Sequence, residues 1–455
     1  MSHRSKPRPP AQTHPFDPVP FVRGLQSLVP PERLDCILRR CRRQEQRRRR
    51  LPAHAVAWLV IAMALFADRS VPKAFRALHP SRDQPDPDDS AFTKARARLG
   101  VRPLRLLFDE VSARLAPAED PGVCYRRWRL MGLDGSVFDL PDTPANEAVY
   151  GRLSNQRAPA AFPQVRVLAL CELGTHQVHD FTFRPVRISE QAMVGPLLRR
   201  LRPGMLLLWD RNFFGYQLIT AVRAMGGDLL ARVKATQLVF RRLAELPDGS
   251  YLSKVYPSAA YKRQDRHGVV VRIIEYTHND PNRPGCGVRH RLLTTVLAPE
   301  EMPAAEAPVV YHERWEEELA LDEIKTHLDG REVLLRSKTP RGVAQELYGL
   351  MLAHRVVRQV MQDAAEREGE DADRLSFVNS LRVLQSQLAE APRRPPARWY
   401  GRLVREVSWQ ALRPRRQRWY PRVVKRKMKK WDKKRPAHAH PPQPTRPFAE
   451  AVVIT

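Results

Sequence analysis

The chain is 455 residues long, enough to bury more than one core, and sets 78 Lys and Arg against 49 Asp and Glu, a formal net charge of +29. Such an excess favours a polyanionic partner, with nucleic acid ahead of a basic membrane surface. No apolar run approaches the roughly 20 residues that span a bilayer. The start MSHRSKPRPPAQ has no signal-peptide core, and the five cysteines include no CxxC pair, which argues against a disulfide framework or a zinc site. The expected location is the cytosol, or the nucleoid if DNA is the partner.

Residues 1–20 are Pro-rich and polar and read as a disordered tail. An Arg-dense helix is expected over 31–50, ending in RRQEQRRRR. The segment 55–68, AVAWLVIAMALFAD, is apolar nearly all round, the pattern of a central helix in a small bundle. A helix at 72–78 and a Pro- and Asp-rich loop at 79–89 follow, and Ser90 is the expected N-cap of a helix over 91–98. Gly100 separates it from another helix at 103–115. Lys94, Arg96, Arg98, Arg102 and Arg105 give this pair the look of a basic helix-turn-helix unit that touches DNA.

From about residue 123 the texture changes to strands. Residues 125–133 read as a strand that turns at Asp134-Gly135 and returns over 137–140, and 164–173 pairs with 177–183 around Gly174. A helix at 189–201, an apolar run at 205–208 ending at Asp210, a helix at 216–225 and a strand at 228–233 complete the series. Three strands, helix, strand, helix, strand is the order of an RNase H-like α/β core, with Asp134 and Asp210 at or near the ends of its first and fourth strands. Residues 235–300 read as a β-rich insertion. Beyond residue 311, helices are expected at 340–366 and 376–388, and 413–435 then holds thirteen Lys or Arg against one acid, Asp432.

The segment 311–325, YHERWEEELALDEIK, lacks Gly and Pro and is rich in Glu, Leu and Ala, so one helix is expected. At about 100° per residue, Tyr311, Arg314, Glu318 and Lys325 project within an arc of roughly 60°. A phenol, a guanidinium, a carboxylate and an ammonium on one stripe suit a phosphodiester and a metal ion together. A salt-bridged, solvated helix face is the plain alternative. Phase sends Glu316 away from the stripe and Glu317 about 60° to one side of it, while Asp322 lies near it.

Two-metal phosphoryl transfer needs a few carboxylates around ions roughly 3.5–4 Å apart. Asp134, Asp210 and Glu318 meet that need if the fold gathers them. Asp139, Asp142 and Asn146 read as loop-shaping side chains and Trp209 as core packing. The histidines offer no HxxxH or HxH constellation persuasive of zinc.

Tyr311-x2-Arg314-x3-Glu318-x6-Lys325 reproduces the YREK signature of the insertion-sequence-four family of bacterial DDE transposases, which this chain resembles. Leu133-Asp134-Gly135 with DLPDTPAN at 139–146 matches that family's first Asp motif, and LLLWDRNF at 206–213 the second. RSKTP at 336–340, YPRVVKR at 420–426 and the N-terminal LPAHAVAWLVIAMALFADRS at 51–70 are also similar.

The resemblance implies a helical DNA-binding domain at 21–120 and a DDE catalytic domain of RNase H-like fold at 121–345. A basic helical region at 346–435 and a disordered tail at 436–455 would follow. It implies an enzyme that uses two Mg²⁺ ions (Mn²⁺ substituting), binds inverted-repeat ends, cuts them and joins the 3′ hydroxyls to target DNA, as a homodimer in the paired-end complex. Asp134, Asp210 and Glu318 would be the metal ligands. Tyr311, Arg314 and Lys325 would contact phosphates, with Trp315 stacking on an extruded base. Two other readings stand beside it: a two-metal nuclease that does not join ends, and a transposase-derived DNA-binding regulator without catalysis.

Overall fold

The structure, a computed structural model, describes residues 29–45, 49–78, 86–153, 160–233, 240–283, 285–328, 335–390, 396–412, 423–424, 432–433, 435 and 442–455. The expected tail at 1–20, most of the loop at 79–89 and most of the basic run at 413–435, including all of its YPRVVKR motif but Val423 and Val424, lie outside them.

Five helices come first: α1 (Pro31–Arg40), α2 (Ala53–Leu65), α3 (Val71–Leu78), α4 (Asp89–Leu99) and α5 (Arg102–Ser112). α1 ends ten residues earlier than the Arg-dense run suggested. The N-cap of α4 is Asp88, not Ser90: the Asp88 carboxylate accepts Ala91 N–H at 2.7 Å and the Ser90 hydroxyl at 2.8 Å. A carboxylate at the helix N-terminus also meets the positive end of the helix dipole, which favours it over a hydroxyl.

α2 is buried on every side, as an all-round apolar sequence requires. Its main partner comes from the other end of the chain. Gly349 lies in the long helix α12 (Pro340–Glu368), where an added Cβ would stand 2.6 Å from the Val60 carbonyl oxygen. Only glycine allows the two backbones to approach so closely. The N-terminal helices, α12, α13 (Phe377–Glu390) and α14 (Pro396–Ser408) thus share one apolar core. α14 falls within the basic region expected to be helical, though in an Arg- and Pro-rich stretch of it. Trp399, Leu403 and Val407 recur at helical spacing along it and are buried.

Against these helices packs an eleven-stranded mixed sheet. Its first ten strands are β1 (Cys124–Tyr125), β2 (Trp128–Asp139), β3 (Gln164–Glu172), β4 (Gln177–Pro185), β5 (Met205–Trp209) and β6 (Asp228–Val233), then β7 (Ala244–Glu245), β8 (Tyr251–Val255), β9 (Val269–His278) and β10 (His290–Thr294). Four helices lie among them: α6 (Pro144–Tyr150), α7 (Glu190–Leu198), α8 (Tyr216–Ala224) and α9 (Ala259–Arg263). The order is β4-β3-β2-β5-β6-β10-β9-β8-β7, with β2, β5 and β6 parallel to one another and β3 antiparallel between β2 and β4.

One expectation changes here. β2 is one continuous strand, so Asp134-Gly135 is not a hairpin turn; β3 pairs with β2 along its whole second half and holds it straight. The 235–300 region carries β7 to β10, and β10 pairs with β6 and continues the same sheet.

Alternation along the parallel strands sorts the two faces. Leu207, Trp209 and Leu229 face α7 and α8, while Leu206, Leu208 and Leu230 face the helix that follows the sheet. Residues 442–455, expected to be disordered, include a short helix, α15 (Phe448–Ala451), and a strand (Val452–Ile454) that pairs antiparallel with β9. Buried Asp280 anchors this end by accepting Thr445 N–H at 2.9 Å. All five cysteines are free. Among the described residues no helix is long and apolar enough to cross a membrane.

Candidate active site at the strand ends

Leu133 of β2 pairs with Trp209 of β5 in parallel register. The next residue on each strand is an aspartate, so Asp134 and Asp210 stand side by side where the β2–β5 pairing ends. Each carboxylate is turned by the backbone beside it: Asp134 Oδ1 accepts Gly135 N–H at 2.8 Å and Asp210 Oδ1 accepts Arg211 N–H at 2.6 Å. Asp210 thereby caps a 3₁₀ turn, Arg211–Phe213, while Asp134 lies inside a long strand.

The 311–325 segment is not one regular helix. α10 (Ala307–His312) gives way to α11 (Trp315–Asp322), and a π-helical turn (Glu323–Leu328) completes it. At the junction Glu316 N–H bonds the Glu313 carbonyl at 2.9 Å, a three-residue spacing that winds the chain more tightly than an α-helix. A uniform 100° phase therefore does not carry through the segment. Tyr311 is buried and its hydroxyl donates to the Trp209 carbonyl at 3.3 Å, one residue before Asp210. Arg314, buried, donates from Nη2 to Glu318 Oε1 at 2.9 Å. Lys325 is exposed and donates from Nζ to the Val137 carbonyl of β2 at 2.7 Å. Trp315 is half-buried, with the Arg314 guanidinium 5.5 Å from its ring centre. The stripe is thus laid over the neighbouring ends of β2 and β5.

Burial pushes the Asp134 carboxyl up to about 6; the Gly135 N–H and the Arg314 charge work against this, and the Glu318 and Glu190 charges reinforce it. Arg314 is close enough to both Glu318 and Asp210 to feel their charges. The three predicted acids therefore surround one guanidinium. Their oxygens form a hard donor set of the kind Mg²⁺ and Mn²⁺ take, and a cation there would offset the burial that, reinforced by neighbouring acids, raises Asp134.

Glu317 goes where phase did not send it. It is fully buried, both carboxyl oxygens lack a hydrogen bond of normal geometry, and Oε2 sits where a Cβ on Gly132 would come within 2.4 Å. Burial, and next the Asp134 charge, hold this carboxyl well above the usual range. Glu316 points away, as phase required, onto His176 Nε2 at 2.7 Å. Asp322 is exposed and accepts the Thr326 hydroxyl at 2.6 Å.

The loop-shaping reading of the first Asp motif agrees with the geometry. Asp139 accepts Gln164 Nε2 at 2.7 Å, and fully buried Asn146 donates to the Ser337 carbonyl at 3.1 Å. Thr143, the N-cap of α6, donates to the Lys338 carbonyl at 3.0 Å, so the 139–146 and 336–340 motifs are stapled to each other. Of the five basic residues around Gly100, Arg96 bonds Ser337 Oγ at 2.9 Å and Arg98 the Leu51 carbonyl at 3.1 Å. Those two serve packing, while Lys94, Arg102 and Arg105 remain exposed.

The search for similar proteins agrees with this layout. Residues 21–109 match the family model for the insertion element 4 transposase N-terminal region, and residues 130–355 the model for the transposase DDE domain. Transposase InsG for insertion sequence element IS4, of Escherichia coli (strain K12), is 30% identical over 397 residues, 83% of this chain and 86% of that protein. The putative transposase InsZ of the same organism is 27% identical over 224 residues, 47% of this chain and 71% of that protein. A solved piggyBac transposase synaptic complex with hairpin DNA shares 12% identity over 86% of this chain and 85% of that one, at a TM-score of 0.43. Helices before the sheet, the DDE domain across the strand ends and the identity to InsG all lead to one place: this chain belongs to the IS4 family of DDE transposases, enzymes of DNA cleavage and transfer whose DDE domain implies a divalent metal.

Proposed function

We propose that this transposase binds the inverted-repeat ends of an insertion sequence, cuts them and joins the freed 3′ hydroxyls to target DNA by in-line attack. The observation that carries the reading is the meeting of Asp134, Asp210 and Glu318 around Arg314 at the ends of two parallel strands. The order β4-β3-β2-β5-β6, with β3 antiparallel, supports an RNase H-like core for it. Asp134, Asp210 and Glu318 would hold two Mg²⁺ ions, with Mn²⁺ able to replace them. Two such ions supply activation of the attacking oxygen and stabilisation of the leaving oxygen.

The remaining work belongs to the side chains. Arg314, set between Glu318 and Asp210, offers a fork to the phosphate beside the cut, and Lys325 a point charge further along β2. Tyr311 fixes the Trp209 carbonyl before Asp210 and reaches a phosphate only by releasing it. Trp315, half-exposed beside Arg314, presents a ring on which an unpaired base stacks. A homodimer brings the two ends together, and the basic surface draws the DNA in.

The test is a reaction of the full-length chain with DNA bearing the ends of its element and Mg²⁺, scored for binding, cleavage and joined product. Asp134→Asn, Asp210→Asn and Glu318→Gln should each lower cleavage by about a thousandfold or more, the scale of metal-borne stabilisation, and leave end binding intact. Full cutting by Glu318→Gln would sink the third-ligand assignment. Cutting by the unaltered chain with no joined product would make it a nuclease, and binding without cutting a regulator.

A further inference from the structure

The DDE glutamate sits in a segment whose other acids face the opposite way. His176, in the turn between β3 and β4, is fully buried with a φ of 55°. Its Nε2 lies 2.7 Å from Glu316 Oε2 and 3.2 Å from Asp373 Oδ1, and its Nδ1 lies 3.2 Å from Glu323 Oε1. Glu323 also accepts Arg358 Nε at 2.8 Å and His354 Nε2 at 3.0 Å, both from α12. A second Arg358 nitrogen reaches both Glu323 and the His176 ring. One buried imidazole therefore joins the β3–β4 turn, α11, the π-helical turn, α12 and the 3₁₀ turn Ala372–Arg374.

Glu316 stands two residues before Glu318 and Glu323 five residues after it. A helical segment held at one flank can still roll about its axis, and a roll of one residue, about 100°, would carry Glu318 away from Asp134. Held at both flanks by the same ring, it cannot roll. The three atoms His176 Nε2, Glu316 Oε2 and Asp373 Oδ1, all within 4.8 Å of one another, have the composition of a cation site. The Arg358 guanidinium, 3.8 Å from Asp373 Oδ1, already brings positive charge to that place.

We infer that His176, backed by Arg358, is a positioning residue for the DDE glutamate: by gripping Glu316 and Glu323 it fixes the roll of α11 and so sets the divalent-ion affinity of Asp134, Asp210 and Glu318. The inference rests on the metal-ligand reading above.

The experiment is a titration of the full-length chain with Mn²⁺, free ion being counted by electron paramagnetic resonance, alongside end cleavage at graded Mg²⁺. The unaltered chain, Glu318→Gln, His176→Gln and the milder Asp373→Asn are compared, each checked for a cooperative thermal transition. His176→Gln should weaken Mn²⁺ binding by about tenfold, the usual scale for losing a partner behind a ligand. It should raise the Mg²⁺ needed for half-maximal cleavage by a similar factor and leave end binding within about twofold. Asp373→Asn should move both quantities the same way by a smaller factor.

Folded His176→Gln and Asp373→Asn proteins with unaltered Mn²⁺ affinity would overturn the inference. So would lower cleavage with an unchanged ion dependence, which would leave a merely structural role. A tightly held metal ion that disappears in His176→Gln would overturn it too, replacing the clamp with a metal centre. If Mn²⁺ binds in a Glu318-dependent way but the unaltered chain cuts nothing, the proposed function fails while the affinity comparison still decides the inference.

Discussion

Two groups of acids share one short segment of chain, and they are treated in opposite ways. On the strand-end side, Asp134 is pushed up to about 6 and Glu317 well above the ordinary glutamate range, chiefly by burial. On the other side, burial works against Glu323 as well, but Arg358 and His176 outweigh it and hold that carboxyl well below its usual range. Glu317 and Glu323 are the same residue type, six positions apart. What differs is the source of the positive charge. The clamp carries its own cations in Arg358 and His176, whereas at Asp134 and Glu317 the Arg314 charge does not outweigh burial. A site built to receive cations from outside has this character, and it costs stability.

The contrast can be broken most forcefully at Glu323. Glu323→Gln strips the partner from buried Arg358 and should lower unfolding free energy by about 3–5 kcal/mol in denaturant titration; a loss below about 1 kcal/mol would mean the clamp is not a stabilising unit.

Next in size is a pH effect. Burial and Arg358 oppose protonation of His176, but Asp373, Glu323 and Glu316 prevail and lift it to about 9. A histidine raised on folding contributes stability that is whole below its unfolded value near 6.5 and is lost as pH rises through about 9. Between pH 7 and 10, above the range where Asp134 titrates, stability should fall by about 2–3 kcal/mol. The neighbouring Glu316, Glu323, Asp373, His354 and Arg358 complete the set of charges that face the ring. His176→Gln should flatten the decline; an equal decline in both proteins would place its source elsewhere.

Glu317 tests the other side. Exchanging this unpaired buried carboxyl for a methionine of similar volume should raise stability by about 1–2 kcal/mol. A loss comparable to that of Glu323→Gln would erase the distinction between the two groups.

The smallest effect sharpens the substrate side. Arg314→Ala should weaken binding of cleaved ends and reduce the salt slope of log K by about one. An unchanged slope would leave Arg314 as the partner of Glu318 alone.

Much of this was legible before folding. The spacing from Tyr311 to Lys325, the two aspartates after apolar runs and the basic excess pointed to the strand-end acids and to DNA. The all-round apolar α2 was legible too, as a central buried helix whose sequence admits no solvent face. Where the reading went astray, the cause was a neighbour distant in sequence. Asp134-Gly135 carries a turn signature, yet β3 pairs straight through it. The phase of Glu317 assumed a uniform helix, and the tight junction at Glu313 turned it inward onto Gly132. Arg96 and Arg98 read as DNA contacts until Ser337 and Leu51 claimed them.

The clamp left no local mark at all. His354 and Arg358 stand four apart on α12 and Glu316 and Glu323 seven apart, but no periodicity or spacing links those two pairs to each other, to His176 or to Asp373.

The sequence by itself determined which groups are present: three acids, a guanidinium and an ammonium at family spacing, on helices and strands whose periodicity is local. Only the tertiary structure decided which acids are left to seek cations and which receive them from the chain. Charge balance in a buried place depends on what lies within a few ångströms, and those neighbours come from elements that meet only when the sheet and the long α12 close around α11.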